Sequence, residues 1–225
     1  MDITKLLDSF KNTLLMTFVS AFLAYIVGLP LGLLLYATGK NGLVKNKFLN
    51  YFVGIIVNIL RSIPCLLLIV LLFPLSNALL KGYGSWTSMI IPLFFASFPF
   101  VARMVEQSLQ EVDKGVIEAS RSLGANNFKI MFNVLLVEAR PSLISGLAVS
   151  LVSILGYTAF AYDIGAGGLI SYAYTIFNNS GFEIKSIEIW VVIAFIVLIV
   201  QIIQELGIIV SSKLDKRRKL SWKNY

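Results

Sequence analysis

Leu14 to Ala37 reads LLMTFVSAFLAYIVGLPLGLLLYA, 24 residues without a charge. An α-helix needs about 20 apolar residues to cross the hydrocarbon of a bilayer, so this stretch reads as a membrane span. Four further runs of span length lie outward from it, at about Phe48 to Phe73, Trp86 to Val105, Pro141 to Tyr162 and Ile187 to Val210. The runs are continuous rather than alternating, which disfavours a β-barrel, and a helix satisfies its own backbone hydrogen bonds in lipid. The expected fold class is all-α: a polytopic membrane protein with about five transmembrane helices and a long cytoplasmic loop.

Composition supports that reading. The 225 residues are 57% apolar and 14% charged, against roughly 45–50% and about 25% in soluble domains. A cytosolic enzyme or secreted domain could not hide so much apolar surface. One cysteine and no histidine leave disulfide scaffolds, Cys/His zinc sites and Ser-His-Asp hydrolysis without their parts.

Asp2 and Asp8 spoil a basic leader and no small-residue cleavage site follows the first run, so it is kept as a helix. Ile3, Leu6, Leu7, Phe10 and Leu14 have helical spacing, which fits either a short interfacial lead-in helix or an extension of the first span. Pro30, Pro64, Pro92 and Pro99 are expected to kink their helices. No repeat or low-complexity linker divides the chain, and residues 1–225 are expected to form one domain.

The net charge of +7 could suggest nucleic acid, but its distribution fits a membrane topology. Lys40, Lys45 and Lys47 follow the first span; Arg103, Lys114, Arg121, Lys129 and Arg140 follow the third; Lys213, Lys216, Arg217, Arg218, Lys219 and Lys223 form the tail. The opposite side holds only Lys5, Lys11, Lys81 and Lys185. Retention of positive charge on the cytoplasmic side puts the N-terminus outside and the C-terminus inside. No nucleic-acid partner is needed to explain these residues.

An ion-coupled carrier usually needs acidic residues within its spans, and here only Glu188, at the very start of the last, and Glu205, toward its cytoplasmic end, fall in one. No phosphate-binding G-x-x-x-x-G-K-[ST] loop occurs, so ATP and Mg would be bound by a partner and the chain itself is not expected to be an enzyme. A solitary ion-driven carrier and a scaffold whose Lys216–Lys219 tail binds anionic lipid stand as rival readings.

Arg61 lies within the second run, at a cost of about 2.5–3.5 kcal/mol on insertion scales, so it should face a cavity, a carbonyl or a subunit interface. Pro64 should break the helix beside it and free carbonyls that a guanidinium can reach. Arg61, Ser62 and Pro64, with Gly156, Tyr157 and Phe160, are the candidate pathway or gate residues. Structural pairing of Arg61 and a plain outer turn through Gly156, Gly165, Gly167 and Gly168 remain open. Ser142, Gly146 and Ser150 place small residues on one stripe, for packing within one chain or around a pore axis.

The connection from Glu106 to Arg140 is long and divides into two short amphipathic helices. Asp113 can cap the first, with Val116, Ile117, Ser120 and Leu123 along one face, and Gly124 suits a left-handed stop. Asn126 or Asn127 can start the second, with Phe128, Phe132 and Leu135 or Leu136 as its apolar face. Such a rod under the membrane can plug into a groove on a soluble partner.

Glu118-Ala119-Ser120, then Gly124 three residues on, then Val134-Leu135-Leu136-Val137 after nine more, resembles the E-A-A-x3-G-x9-I-x-L-P loop of ABC importer permeases. Ser120 stands for the second alanine, Val134 for the isoleucine and Val137 for the proline. Thr13 to Thr38, Val57 to Pro64, Pro99 to Glu106, Gly156 to Phe160 and Gly165 to Leu169 resemble the methionine-uptake type, the MetI-like permease family. Tyr162-Asp163-Ile164 departs from the small apolar residues expected there. The resemblance implies a permease of the bacterial cytoplasmic (inner) membrane that forms its path as a homodimer. Its implied partners are cytoplasmic ABC ATPase subunits, an extracytoplasmic substrate-binding lipoprotein and membrane lipid. Its implied cargo is D- or L-methionine, with another amino acid or small organic solute as the alternative. Glu118, Ala119, Ser120, Arg121, Gly124 and Ala125 are the implied ATPase-coupling residues. Glu118 would pair with Arg121 or with the partner, or stand as a solvated helix charge.

Overall fold

A computed structural model describes residues 2–179 and 187–215, and the described part is helical throughout its regular structure. Ile3–Thr38 (α1) is one helix of 36 residues, about 54 Å at 1.5 Å per residue, and so longer than a bilayer core. The lead-in segment is therefore an extension of the first span rather than a separate helix. Asp2 caps it, accepting from the N–H groups of Thr4 (3.1 Å) and Lys5 (3.3 Å). Leu6, Phe10 and Leu14 pack into a cluster with Leu155, Leu169 and Val192, while Ile3 and Leu7 stay exposed.

The second run, 48–73, is not a single straight span. It divides into Lys47–Ser62 (α2) and Cys65–Leu80 (α3), bent by 98° where Pro64 removes the amide that would continue the helix. The other prolines behave differently: Pro30 and Pro99 lie inside continuous helices, and Pro92 lies in a first turn whose amides have no helical partner in any case. A 3-10 turn, Trp86–Met89, leads into Ile90–Gln110 (α4), which continues beyond the expected end at Val105.

Below α4 lie Lys114–Ser122 (α5), Asn127–Lys129 (α6), a π-helical turn Ile130–Leu135 and Leu136–Glu138 (α7). Arg140–Tyr157 (α8), extended by a 3-10 turn Thr158–Ala161, and Ile187–Leu214 (α10) are long and apolar enough to cross a membrane, as are α1 and the helix ending at Gln110. Counting the bent pair as one crossing makes up to five spans among the described residues. Leu169–Asn179 (α9) lies between α8 and α10 in sequence and packs on α10 and α1.

The central contact is between α1 and α4. Gly28 and Gly32 let the two backbones meet: a Cβ on Gly28 would lie 2.7 Å from Val101 Cγ1, and one on Gly32 2.6 Å from the carbonyl oxygen of Ala102. Close approach through small residues is how helices associate where lipid is as apolar as leucine. Ser142, Gly146 and Ser150 serve the same end inside this chain. Ser142 donates to Ser108 (3.1 Å), Gly146 abuts Met104, and Ser150 donates to the Gly146 carbonyl at 2.7 Å beside the Tyr25 hydroxyl at 3.3 Å.

We predict that Gly32→Leu, which must displace the backbone of α4, lowers stability by about 1–3 kcal/mol or more. The measurement is thermal unfolding and monodispersity of the detergent-purified chain, with Gly156→Ala, at a site open to solvent, as the neutral comparison.

Candidate functional site

Two regions carry the candidate residues. The first is the cytoplasmic segment. Asp113 caps α5 by accepting from the Gly115 amide at 2.6 Å, and Asn126 caps α6 by accepting from the Lys129 amide at 2.8 Å. Between them Gly124 has φ +81°, a left-handed conformation in which any Cβ is strained, as the turn between two helices requires.

The inward face of this segment differs from the expected one. Ile117 is buried but Leu123 is 88% exposed; in the following turn Ile130, Met131 and Leu135 are buried while Phe128 and Phe132 face outward. For the second helix the cause is local: the π-helical turn at Ile130–Leu135 breaks the 3.6-residue spacing that grouped Leu135 with Phe128 and Phe132. Ile117, Ile130, Met131 and Leu135 belong to one cluster with Phe98, Val101, Val105 and Leu109 of α4. The buried side of the segment thus joins an apolar cluster that reaches α4.

Its outer surface presents Glu118, Ala119, Arg121 and Gly124, with Ser120 and Ala125 half-buried. The rings of Phe128 and Phe132 lie 4.5 Å apart, tilted by 41° to one another. No Glu118–Arg121 ion pair forms among the described residues. Glu118 stands as an exposed charge on the outward side.

The second region is the bend between α2 and α3. Arg61, Ser62, Pro64 and Tyr157 are brought together around a cavity of about 390 Å³, which Leu60, Ala96 and Phe100 also line. Ser62 donates to the Asn58 carbonyl at 2.8 Å. The expected pairing of Arg61 with a freed carbonyl does not form: no hydrogen bond from its guanidinium appears among the described residues. Gly156 is exposed, and Phe160 packs instead against the core of Met16, Ile69 and Leu93. The glycines that follow form a turn pinned to α1, where the Leu169 amide donates to Thr13 Oγ1 at 2.8 Å. Lys185 and the tail Lys216 to Lys219, with Lys223, fall outside the described residues.

Arg103 and Glu106 were counted as loop residues, yet both lie in α4. Arg103 donates to Glu106 at 2.6 Å through Nη1 and to Asn58 Oδ1 at 2.8 Å and the Gly54 carbonyl at 3.3 Å through Nη2. Gln110 supports the same carboxylate at 3.3 Å. This cluster fastens α2 to α4. The i,i+3 spacing of Arg103 and Glu106 was the signal that could have found half of it.

Comparison with known proteins follows the same outline. Residues 28–208 match the family described as binding-protein-dependent transport system inner membrane components. The methionine import system permease protein MetP of Bacillus subtilis is 41% identical over 217 residues, 96% of each chain. A probable D-methionine transport system permease protein MetI of Vibrio cholerae is 36% identical over 94% of this chain and 93% of its own length. A chain of the MetNI methionine ABC transporter, solved in an inward-facing conformation, superposes with a TM-score of 0.88 at 36% identity, covering 95% of this chain and 98% of that one.

Replacing Arg103 with Met should strand the Glu106 carboxylate, whose side chain is 12% exposed, and lower stability by about 3 kcal/mol; Glu106→Gln in the same background should restore part of it. Thermal unfolding of the single and double variants in detergent measures this coupling. With a span-length apolar helix set, an importer-type cytoplasmic loop and similarity along almost its whole length, this chain belongs to the family of binding-protein-dependent transport system inner membrane components.

Proposed function

We propose that this chain is the permease subunit of an ATP-driven methionine importer and forms the translocation path with a second copy of itself. The observation that carries the mechanism is the apolar cluster that Ile117, Ile130, Met131 and Leu135 of the cytoplasmic segment share with Val101, Val105 and Leu109 of α4. A partner that moved the outer surface around Glu118 and Gly124 would move α4 as one body, and α1 with it, because their backbones touch at Gly28 and Gly32. Cytoplasmic ATPase subunits, holding ATP and Mg, would supply that stroke, and an extracytoplasmic binding protein would deliver the solute. Closure of the two motors would draw the two segments together and rock the helices to open the opposite side.

In this arrangement Glu118, Ala119, Ser120, Arg121, Gly124 and Ala125 form the docking surface. Leu123, Phe128 and Phe132 add the apolar contact that was not foreseen as outward-facing. Arg61, Ser62, Pro64 and Tyr157 line the path. The N-terminus lies outside and the C-terminus inside a bacterial inner membrane, with residues 1–225 acting as one domain. One chain encloses little, so the apolar residues left exposed on α2 and α3, among them Phe52, Ile59 and Leu71, face lipid or the second copy.

The test is Gly124→Asp. A side chain at φ +81° costs about 1 kcal/mol or more and re-aims the second helix, and the carboxylate adds a charge to the docking surface. We expect insertion to be retained while co-purification with the ATPase and methionine uptake both fall by about tenfold. Normal uptake with normal complex yield would reject the docking assignment. Competition of uptake by other amino acids, with the binding protein present, then distinguishes methionine from another cargo.

A further inference from the structure

The structure treats Arg61 of α2 and Arg103 of α4 in opposite ways. Arg103 is answered by a carboxylate and two further acceptors. Arg61, on the last turn of α2, has no carboxylate within ion-pair distance among the described residues, yet it lines a cavity that the bend at Pro64 opens. A guanidinium in a span costs about 2.5–3.5 kcal/mol unless something compensates it. No carboxylate among the described residues does so.

The other walls of the cavity are mostly apolar. Leu60, Leu68, Ala96 and Phe100 give it apolar walls, and Tyr157 adds the aromatic hydroxyl. A volume of about 390 Å³ lies within the range of small-molecule sites, about 300–1,000 Å³. The planar fork of a guanidinium matches a carboxylate with two parallel hydrogen bonds, a geometry that neither an alcohol nor an amine can reproduce.

We propose that Arg61 is a carboxylate subsite in the translocation path, resting on the import reading above. Its guanidinium donates to the α-carboxylate of an amino-acid substrate, the Tyr157 hydroxyl accepts from the ammonium, and the Leu60, Leu68 and Phe100 side chains receive an apolar side chain. Arg61 thereby sets specificity for the acid end of the solute inside the membrane, independently of any selection made by a delivering protein.

Cys65 reports on occupancy, since it is the only cysteine of the chain and lines the same cavity half-buried. The full-length permease, purified with its ATPase and without binding protein, is alkylated with N-ethylmaleimide, and Cys65 is followed by peptide mass spectrometry. Methionine and 4-(methylthio)butyrate, which carry the carboxylate, should slow alkylation about threefold at about twice their dissociation constants, because the free fraction falls as one over one plus ligand over Kd. Methioninol, with the ammonium and thioether but no carboxylate, should give no protection. Arg61→Gln should weaken protection by methionine about tenfold and Arg61→Lys less, since an ammonium keeps the charge and loses the fork. Equilibrium dialysis of radiolabelled methionine supplies a readout independent of the thiol.

Equal protection by methioninol, or undiminished binding by a correctly inserted Arg61→Gln, would overturn the subsite. Absence of both protection and binding in a complex that still imports methionine would overturn it while leaving the import reading intact. Carboxylate-dependent protection in a complex that imports no methionine would do the reverse.

Discussion

The close approach of α1 and α4 is the constraint on which the rest of this structure depends. In lipid the contact has no hydrophobic driving force of its own, so its strength comes from how nearly two backbones can meet. Gly28 and Gly32 remove the atoms that would keep them apart, and Val101, Ala102 and Val105 fill the space. Other elements are then placed relative to this pair: α8 packs its serine and glycine stripe on α4, and α2 hangs from it through Arg103 and from α1 through Asn50, which donates to the Leu35 carbonyl at 2.8 Å.

The cytoplasmic segment gains its significance from the same packing. An exposed amphipathic rod could be an independent appendage, in which case a push on it would be lost in a hinge. Here its buried residues share one apolar cluster with α4, and the two rods within it are joined by a short turn at Gly124. Close-packed interiors transmit displacement rather than absorbing it. Rigid connection between a soluble face and a membrane helix is the mechanical property a subunit driven from outside itself requires.

The two arginines within the helices differ in their surroundings. Arg103 is answered inside the chain by Glu106 and Asn58. Arg61 is left facing a cavity.

Much of this protein is legible from the sequence. The lengths of the apolar runs determine the membrane class, because bilayer thickness sets a minimum helix length. The caps at Asp113 and Asn126 and the left-handed stop at Gly124 are local, and they occur where the residue types call for them. What the sequence could not decide was the consequence of breaks in helical period. Pro64 announced a disturbance, but whether it would be a kink or a 98° turn depended on the neighbours that α2 and α3 found. The π-helical turn at Ile130–Leu135 took Leu135 off the apolar face it was expected to share with Phe128 and Phe132, so Leu135 is buried while the two phenylalanines are exposed. Arg103 looked like a loop charge until α4 continued past it. Local chemistry and composition thus settled what kind of molecule this is and where its helices start and stop. Only the tertiary structure decided which faces meet and which charges are paired, because those outcomes rest on contacts between residues far apart along the chain.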